Sequence, residues 1–378
     1  MNILILGAGL VGRPMALDLS KDDSFKLSVS DISENRLHLF NGERFSIIQG
    51  DLSDMAFLKK IIIPFDLVLN ALPGHLGYQA SKTVIEGGKN LVDISFFPED
   101  PFSLEEIAEK MKIKAVIDCG VAPGMSYALV GYVSGILDMT TKVRIYVGGL
   151  PVKRELPWEY KAVFSPADVI EEYMRPARIM ENGKIVAKEA LSDLETMSFK
   201  CCGPLEAFNT DGLRSLLKTI PCPDMVEKTL RYPGYSQKIM LLKNSGFFNT
   251  ETLDIKGQKI VPLDMTCSLL FPQWQLKEGD EDITVMKIVV EGIKRGHKIR
   301  YTYNLVDHYD RNDKIHSMAR TTGYTATSVI KMISENILKE NGLILPEYLG
   351  KSKTYIDFML DYLSKRRVNY SENVEKIL

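Results

Sequence analysis

A strand, a glycine turn and a helix occupy the first twenty residues of this chain. The apolar run Ile3-Leu4-Ile5-Leu6 leads into Gly7-Ala8-Gly9-Leu10-Val11-Gly12, and Val11, Met15, Ala16 and Leu19 follow at helical spacing. Phe25 to Ser30 alternates as a second strand and closes on Asp31, 19 residues after Gly12. In such a strand–helix–strand unit each glycine has its own task. Gly7 permits the tight turn, Gly9 lets the backbone approach a pyrophosphate, and Gly12 lets the helix pack against the strand. The pyrophosphate then rests on the free N–H groups and positive dipole end of a helix that begins near Leu10 and Val11. Asp31 accepts hydrogen bonds from a ribose diol and repels a 2′-phosphate, which points to NAD rather than NADP. A glycine turn alone is a weak signal; the flanking strands and the acid make it specific.

The same rhythm continues to about residue 120. Apolar runs recur at 3–6, 25–30, 45–48, 66–71, 90–94 and 114–118, and helically spaced stretches lie between them at 10–20, 33–40, 54–62, 77–87 and 103–111. That alternation predicts an α/β fold, a doubly wound parallel sheet with right-handed crossovers. Ligands in such sheets bind beyond the carboxyl ends of the strands. Those ends carry Gly7, Asp31, Gly50-Asp51, Asn70-Ala71-Leu72-Pro73, Asp93-Ile94-Ser95 and Asp118-Cys119-Gly120-Val121. Asn70, Ala71, Leu72, Asp93 and Val121 are read as cofactor contacts. Asp51 can reach the adenine end, while Ser53 or Asp54 caps the next helix.

With 378 residues the chain is too long for one compact core, so a second domain is expected. After Pro123-Gly124, Ser126 could cap a helix running to about Leu137, and Lys142–Val147 reads as a strand. Thr284–Val290 and Lys298–Val306 read as strands joined by the polar turn 291–297, which suggests an α+β unit. From Ser317 a helical pattern returns (Met318, Ala326, Val329, Ile330, Ile333, Ile337), apolar enough to need a surface to cover. The expected division is 1–122, 123–315 and 316–378, the last a helical segment packing back on the first. A net charge of −2 gives no reason to expect nucleic acid or an anionic membrane as partner, and no apolar stretch reaches the ~20 residues of a membrane span. Cys119, Cys201, Cys202, Cys222 and Cys267 are odd in number with no CxxC, which suits a reducing cytoplasm and argues against a disulfide frame or a zinc site.

Four later segments, Val121-Ala-Pro-Gly-Met125, Tyr146-Val-Gly-Gly-Leu-Pro151, Gly203-Pro-Leu-Glu-Ala-Phe208 and Thr229-Leu-Arg-Tyr-Pro-Gly234, resemble the saccharopine dehydrogenase family. The likeness runs from residue 1 to about 340 and is nearest to the members that oxidise the ε-amine of L-lysine with NAD. It implies a Rossmann domain, a substrate domain inserted before a returning C-terminal segment, an amino-acid substrate, and often a homodimer. Members acting on saccharopine resemble one another in an Asp-Pro-Gly where this chain has Ala122-Pro123-Gly124, which favours lysine. A secondary-amine substrate such as saccharopine or carboxynorspermidine is the alternative, and a non-catalytic NAD-binding sensor is a further one.

Amine oxidation needs a proton acceptor, because a free lysine amine (pKa ~10.4) is charged at pH 7. Asp93, ending the fifth strand, is the first candidate and could equally be structural; His75, in a loop after the fourth, is the second. Cys119 more plausibly packs. For the substrate, Arg231 can hold an α-carboxylate bidentately, with Tyr232 adding a hydroxyl; the resemblance also implies a substrate-binding arginine there. Glu206, Asn209, Thr210 and Asp211 crowd one short loop, which could hold an α-ammonium group or be a hydrogen-bonded turn. Trp158 and Phe208 either wall the methylene chain or belong to the core.

Overall fold

The structure, a computed structural model, describes residues 1–40, 44–163, 166–277 and 279–377. Six strands and five helices alternate at the start: β1 (Asn2–Leu6), α1 (Gly12–Leu19), β2 (Lys26–Asp31), α2 (Glu34–Leu37), β3 (Phe45–Gln49), α3 (Met55–Ile61), β4 (Leu67–Asn70), α4 (Gly74–Glu86), β5 (Asn90–Asp93), α5 (Glu105–Met111) and β6 (Lys114–Val116). Each apolar run in the sequence is one of these strands. Burial on both faces explains the near-continuous apolar character of the inner strands: Ile3 to Leu6 and Leu67 to Leu69 are fully buried, while β3 at the edge is partly exposed. The strands pair in parallel in the order β3-β2-β1-β4-β5-β6, so the order reverses between β1 and β4, and the crevice opens there.

The second unit contains α6 (Met125–Ile136), β7 (Met139–Pro151), α7 (Pro166–Met174), β8 (Ala177–Glu181), β9 (Lys184–Lys188), β10 (Glu195–Phe199), β11 (Gly203–Asn209), α8 (Leu216–Thr219), β12 (Met225–Arg231), α9 (Tyr235–Asn244), β13 (Leu253–Ile255), β14 (Gln258–Ile260), α10 (Pro262–Trp274), β15 (Asp282–Lys294) and β16 (His297–His308). Its mixed sheet runs β10-β11-β12-β7-β15-β16, with β12 and β7 parallel and the other pairs antiparallel. Over β12 lies a lobe of α7, α9 and α10, with Tyr160, Tyr173, Phe208, Tyr235, Phe248 and Trp274 as its core.

The rest is α11 (Ser317–Ser334), β17 (Gly342–Ile344), α12 (Pro346–Gly350), α13 (Lys353–Ser364) and β18 (Tyr370–Lys376). The return to the first unit is closer than a helix alone would give. β17 extends the first sheet beside β6, and α11 lies so near α1 that Gly323 leaves no room for a Cβ against Met15. Asp18 on α1 accepts hydrogen bonds from Thr327 (2.7 Å), Tyr362 (2.9 Å) and Arg366 (2.7 Å).

Three local expectations need correction. The 316–378 segment does not belong wholly to the first unit: β18 pairs with β16 at the edge of the second sheet. Ser126 is not a cap but lies inside α6, fully buried; the helix is entered through Gly124, whose φ of 134° a side chain rarely adopts. The turn at 291–297 shrinks to Arg295-Gly296, because pairing continues through Lys294 and His297. No helix among the described residues is long and apolar enough to cross a membrane. All five cysteines are free thiols.

Candidate active site

A cleft of 690 Å³ follows the carboxyl edge of the parallel sheet and continues to β12. Its first half fits a dinucleotide. Gly7 has a φ of 95°, and a Cβ there would lie 2.8 Å from Ala71 O. A Cβ on Gly12 would overlap Gly7 O, whereas one on Gly9 would meet nothing within 4 Å. Gly9 therefore leaves open space where the other two leave none. Leu10, Val11 and Gly12 line that space, ahead of the Arg13 amide, which donates to Gly9 O at 3.1 Å. Their amides are the free N-terminal donors of α1. Asp31 ends β2 with one carboxylate oxygen accepting from Ala8 N (2.8 Å) and the other from Ser33 N (2.8 Å); Arg36 Nη1 stands 3.6 Å away. Asp51 lines the far rim and accepts from Ser53 N (2.9 Å) and Oγ (2.7 Å), which hold its carboxyl below the usual range. Asp54 caps α3. Ala71, Leu72 and Val121 complete the wall.

The second half is built mainly on β12. Because side chains alternate along a strand, Glu227, Thr229 and Arg231 share one face, and all three line the cleft. α7 adds Asp168 and Glu172, one helical turn apart, and the loop after β11 adds Thr210, Asp211 and Gly212. Ser95, Phe96 and Asp118 face them from the first unit.

Arg231 is 4% exposed. It donates to Leu230 O (2.9 Å) and Tyr173 Oη (3.2 Å) and stacks on Tyr160, 4.7 Å from the ring centre. Its Nε has no hydrogen-bond partner among the described residues, so a donor remains for a ligand. Asp118, at φ 59°, binds Arg214 Nε at 2.7 Å, and Arg214 also donates to Phe97 O (2.8 Å) and lies over the Phe96 ring. The other Asp118 oxygen is buried without a partner among the described residues. Asp211 is held by Arg178 through three hydrogen bonds, from its backbone N (3.0 Å), Nε (2.9 Å) and Nη2 (2.8 Å). Glu172 and Glu227 are in a different state. Burial pushes Glu172 up to about 7, against the lowering pull of Arg231 and Arg175. Burial likewise pushes Glu227 up to about 8, against a hydrogen bond from Thr210.

Of the expected residues, the cleft brings together Gly7, Gly9, Leu10, Val11, Gly12, Asp31, Asp51, Ala71, Leu72, Val121, His75, Thr210, Asp211 and Arg231. Asp93 and Asn70 lie behind its wall. Asp93 is fully buried and accepts from Asn70 (2.7 Å), Ser81 (3.0 Å) and Ser95 (2.8 Å), a hub that fixes cleft-lining Ser95; burial pushes it up to about 7. Asn70 also takes a bond from Leu72 N (3.2 Å) and so shapes the loop it was expected to contact from. His75 is exposed at the mouth, in the first turn of α4. Glu206 is elsewhere: its carboxylate accepts from Gly234 N and Ser236 N at the start of α9. Tyr232 points away, donating to Pro151 O (3.0 Å) with Arg154 over its ring. Asn209 bonds Ser192 and Asp193, Phe208 is core, Trp158 donates to Gln273, and Cys119 is buried with its thiol pushed up by burial.

Sequence reasoning missed Glu227, Glu172 and the Asp118–Arg214 pair. The first two left a signal: acid, hydroxyl and arginine alternate through Glu227, Thr229 and Arg231, and Asp168 and Glu172 are four apart. Nothing in the sequence links residues 118 and 214. Among the described residues, no group of His, Cys, Asp and Glu is placed to hold a metal ion.

Comparison with known proteins gives the same two-part division. A family model described as saccharopine dehydrogenase NADP binding domain matches residues 3–116, and one described as saccharopine dehydrogenase C-terminal domain matches 120–368. Mitochondrial alpha-aminoadipic semialdehyde synthase of Mus musculus is 23% identical over 91% of this chain and 45% of its own length. The chain thus spans about half or less of the first curated relatives it matches. A saccharopine dehydrogenase (NADP(+), L-glutamate-forming) of Schizosaccharomyces pombe is 22% identical over 99% of both chains. Among solved structures, apo saccharopine dehydrogenase (L-Glu forming) from Saccharomyces cerevisiae superposes with a TM-score of 0.83, at 19% identity and 99% coverage of each chain, and so shares the fold.

Proposed function

Starting from the fact that the chain belongs to the saccharopine dehydrogenase family, a family of oxidoreductases, we propose that it oxidises the ε-amine of L-lysine with NAD. The products are ammonia and 2-aminoadipate 6-semialdehyde. The observation that carries this reading is the charge balance of the substrate half. Arg231 is the single lysine or arginine lining it among the described residues, whereas Asp168, Glu172 and Glu227 line it beyond Asp118 and Asp211, which Arg214 and Arg178 already neutralise. Lysine has one carboxylate and two amines, which suits one cation and several acids. Saccharopine has three carboxylates and would need more cationic partners.

Arg231 holds the α-carboxylate, with its stacked tyrosine keeping the guanidinium plane in place. Glu172, close enough to feel the Arg231 charge, takes the α-ammonium group beside it. Gly9 and the amides of Leu10 to Gly12 seat the pyrophosphate, and Asp31 takes the ribose diol. When bound, the nicotinamide supplies the hydride acceptor. Asp31 supports NAD. Arg36, 3.6 Å from it, gives the same pocket a cation for a 2′-phosphate, so NADP is the second reading.

The test is purified protein with NAD or NADP, given L-lysine, saccharopine or carboxynorspermidine in turn, while reduced cofactor and ammonia are followed. Reduced NAD with equimolar ammonia from lysine is expected. Reduced cofactor without ammonia, from either secondary amine, overturns the substrate assignment. Tight NAD binding without turnover of any amine points to a sensor.

A further inference from the structure

Glu227 is the acid of the cleft whose surroundings suit proton transfer rather than ion pairing. It stands on β12 and is 5% exposed. Its carboxylate accepts from Thr210 Oγ1 at 2.7 Å, and Thr210 in turn meets Thr229 Oγ1 at 2.9 Å. A Cβ on Gly212 would overlap the carboxylate, so that loop passes close only because position 212 is glycine. Unlike Asp118 and Asp211, it forms no ion pair among the described residues. The groups that bear on it come from every side: Glu172 from α7, Asp211 from the loop, Arg231 from β12 itself, and Tyr127 from α6.

We infer that Glu227 is the catalytic proton acceptor, taking the proton from the substrate amine before the carbon–hydrogen bond breaks. The inference rests on the amine-oxidation reading above. With Arg231 and Glu172 holding the amino-acid head, Glu227 is two strand positions beyond Thr229 on the same face. The ammonium nitrogen gives one proton to a Glu227 oxygen and keeps the electron pair. The hydride leaves the adjacent carbon with its bonding pair and reduces the nicotinamide. The nitrogen lone pair closes the carbon–nitrogen double bond. Water then adds to that carbon, and ammonia departs. Burial pushes Glu227 up to about 8, with Glu172 and Asp211 raising it further and Thr210 and Arg231 lowering it. A base in this range is matched to an amine far better than a solvated carboxylate.

Glu227→Gln keeps the size of the side chain and removes the base. Its kcat on the oxidised amine is expected to fall by about 10²-fold or more. The wild-type kcat should rise with pH through about 8, and this limb should vanish in the variant. A second readout needs no turnover: in the infrared spectrum of the cofactor-free protein, a protonated-carboxyl band should disappear with the same midpoint, and Glu227→Gln should lack it. Thr210→Val deletes a hydrogen bond to the charged form, so both midpoints should move up. If Glu227→Gln keeps kcat within about threefold of wild type, or keeps the band and the limb, the inference is wrong. Failure of the wild type on lysine removes the substrate reading instead, and the band still tests Glu227 alone.

Discussion

Alanine at Gly9 and alanine at Gly12 should have opposite consequences. A methyl group on Gly9 meets nothing within 4 Å, and Gly9 is not among the positive-φ positions. Fewer unfolded conformations then make Gly9→Ala neutral or stabilising by about 0.4–1 kcal/mol in the cofactor-free protein. The same methyl fills the space where a pyrophosphate must approach α1. Losing two amide bonds to a charged group, at roughly 1.5–3 kcal/mol each, costs about 3–6 kcal/mol of binding, or roughly 10²- to 10⁴-fold in Kd. Gly12→Ala reverses this. Its methyl would overlap the carbonyl oxygen of Gly7, a backbone atom that cannot rotate away. α1 must shift, at about 1–3 kcal/mol, the usual range for overpacking. Thermal unfolding without cofactor and NADH fluorescence titration separate the two effects. Gly9→Ala should keep its Tm and lose NAD; Gly12→Ala should lose Tm first. Equal loss of Tm in both variants, or wild-type NAD affinity in Gly9→Ala, refutes the assignment of separate tasks to the two glycines.

Arg231→Ala should raise KM for the amino acid by roughly 30-fold or more, since truncating one partner of a buried charge pair costs about 2–5 kcal/mol; Kd for NAD should stay within about twofold, and an unchanged KM removes Arg231 from the site. Asp31→Ser, which keeps an acceptor but loses the charge, should shift the NAD-to-NADP ratio of kcat/KM towards NADP by about tenfold, and Arg36→Ala should shift it back; a ratio that ignores both variants shows that the ribose lies elsewhere. Glu206→Ala should cost about 0.5–2 kcal/mol of stability through the lost bonds to Gly234 and Ser236 while leaving KM alone; a KM that rises without loss of Tm would return Glu206 to the site.

The first sheet was legible in the sequence because its inner strands are buried on both faces and its glycines and acid sit at fixed offsets. Positions such as Gly7, Asp31 and Ala71 could be placed at strand ends before any contact was known. What was not legible at those ends is which way a side chain turns. Asp93 and Asp118 both follow a parallel strand and both are acids. Asp93 turns into Asn70, Ser81 and Ser95 behind the wall, while Asp118 adopts φ 59° and faces the cleft. The difference comes from partners far off in the chain, Arg214 above all. The substrate loop misled for a similar reason. Glu206 and Asp211 flank the end of β11, and each acid is taken by a partner distant in the chain, one at the start of α9 and one on Arg178. The acids left over for a substrate lie on β12 and α7, where alternation and helical spacing were present in the sequence but nothing in them marked which face meets the cleft.

The two halves of the site are set against each other by folding, before any ligand arrives. The chain crosses between the units after β6, before α11 and before β18, so the first unit is completed by β17 and the second by β18. A hinge at any one crossing would be opposed by the other two. Across the cleft, Arg214 ties Asp118 and Phe97 O from the second unit, and Lys218 reaches Asp100 at 2.6 Å. The exposed Lys218 pair contributes little, whereas the buried Asp118–Arg214 pair fixes the geometry of the closed cleft. On the proposed lysine reading, selectivity then comes from what lines the cleft: an amino acid held by Arg231 would bring its far end to Thr229 and Glu227, and extra carboxylates on a longer substrate would fall among the acids that line it.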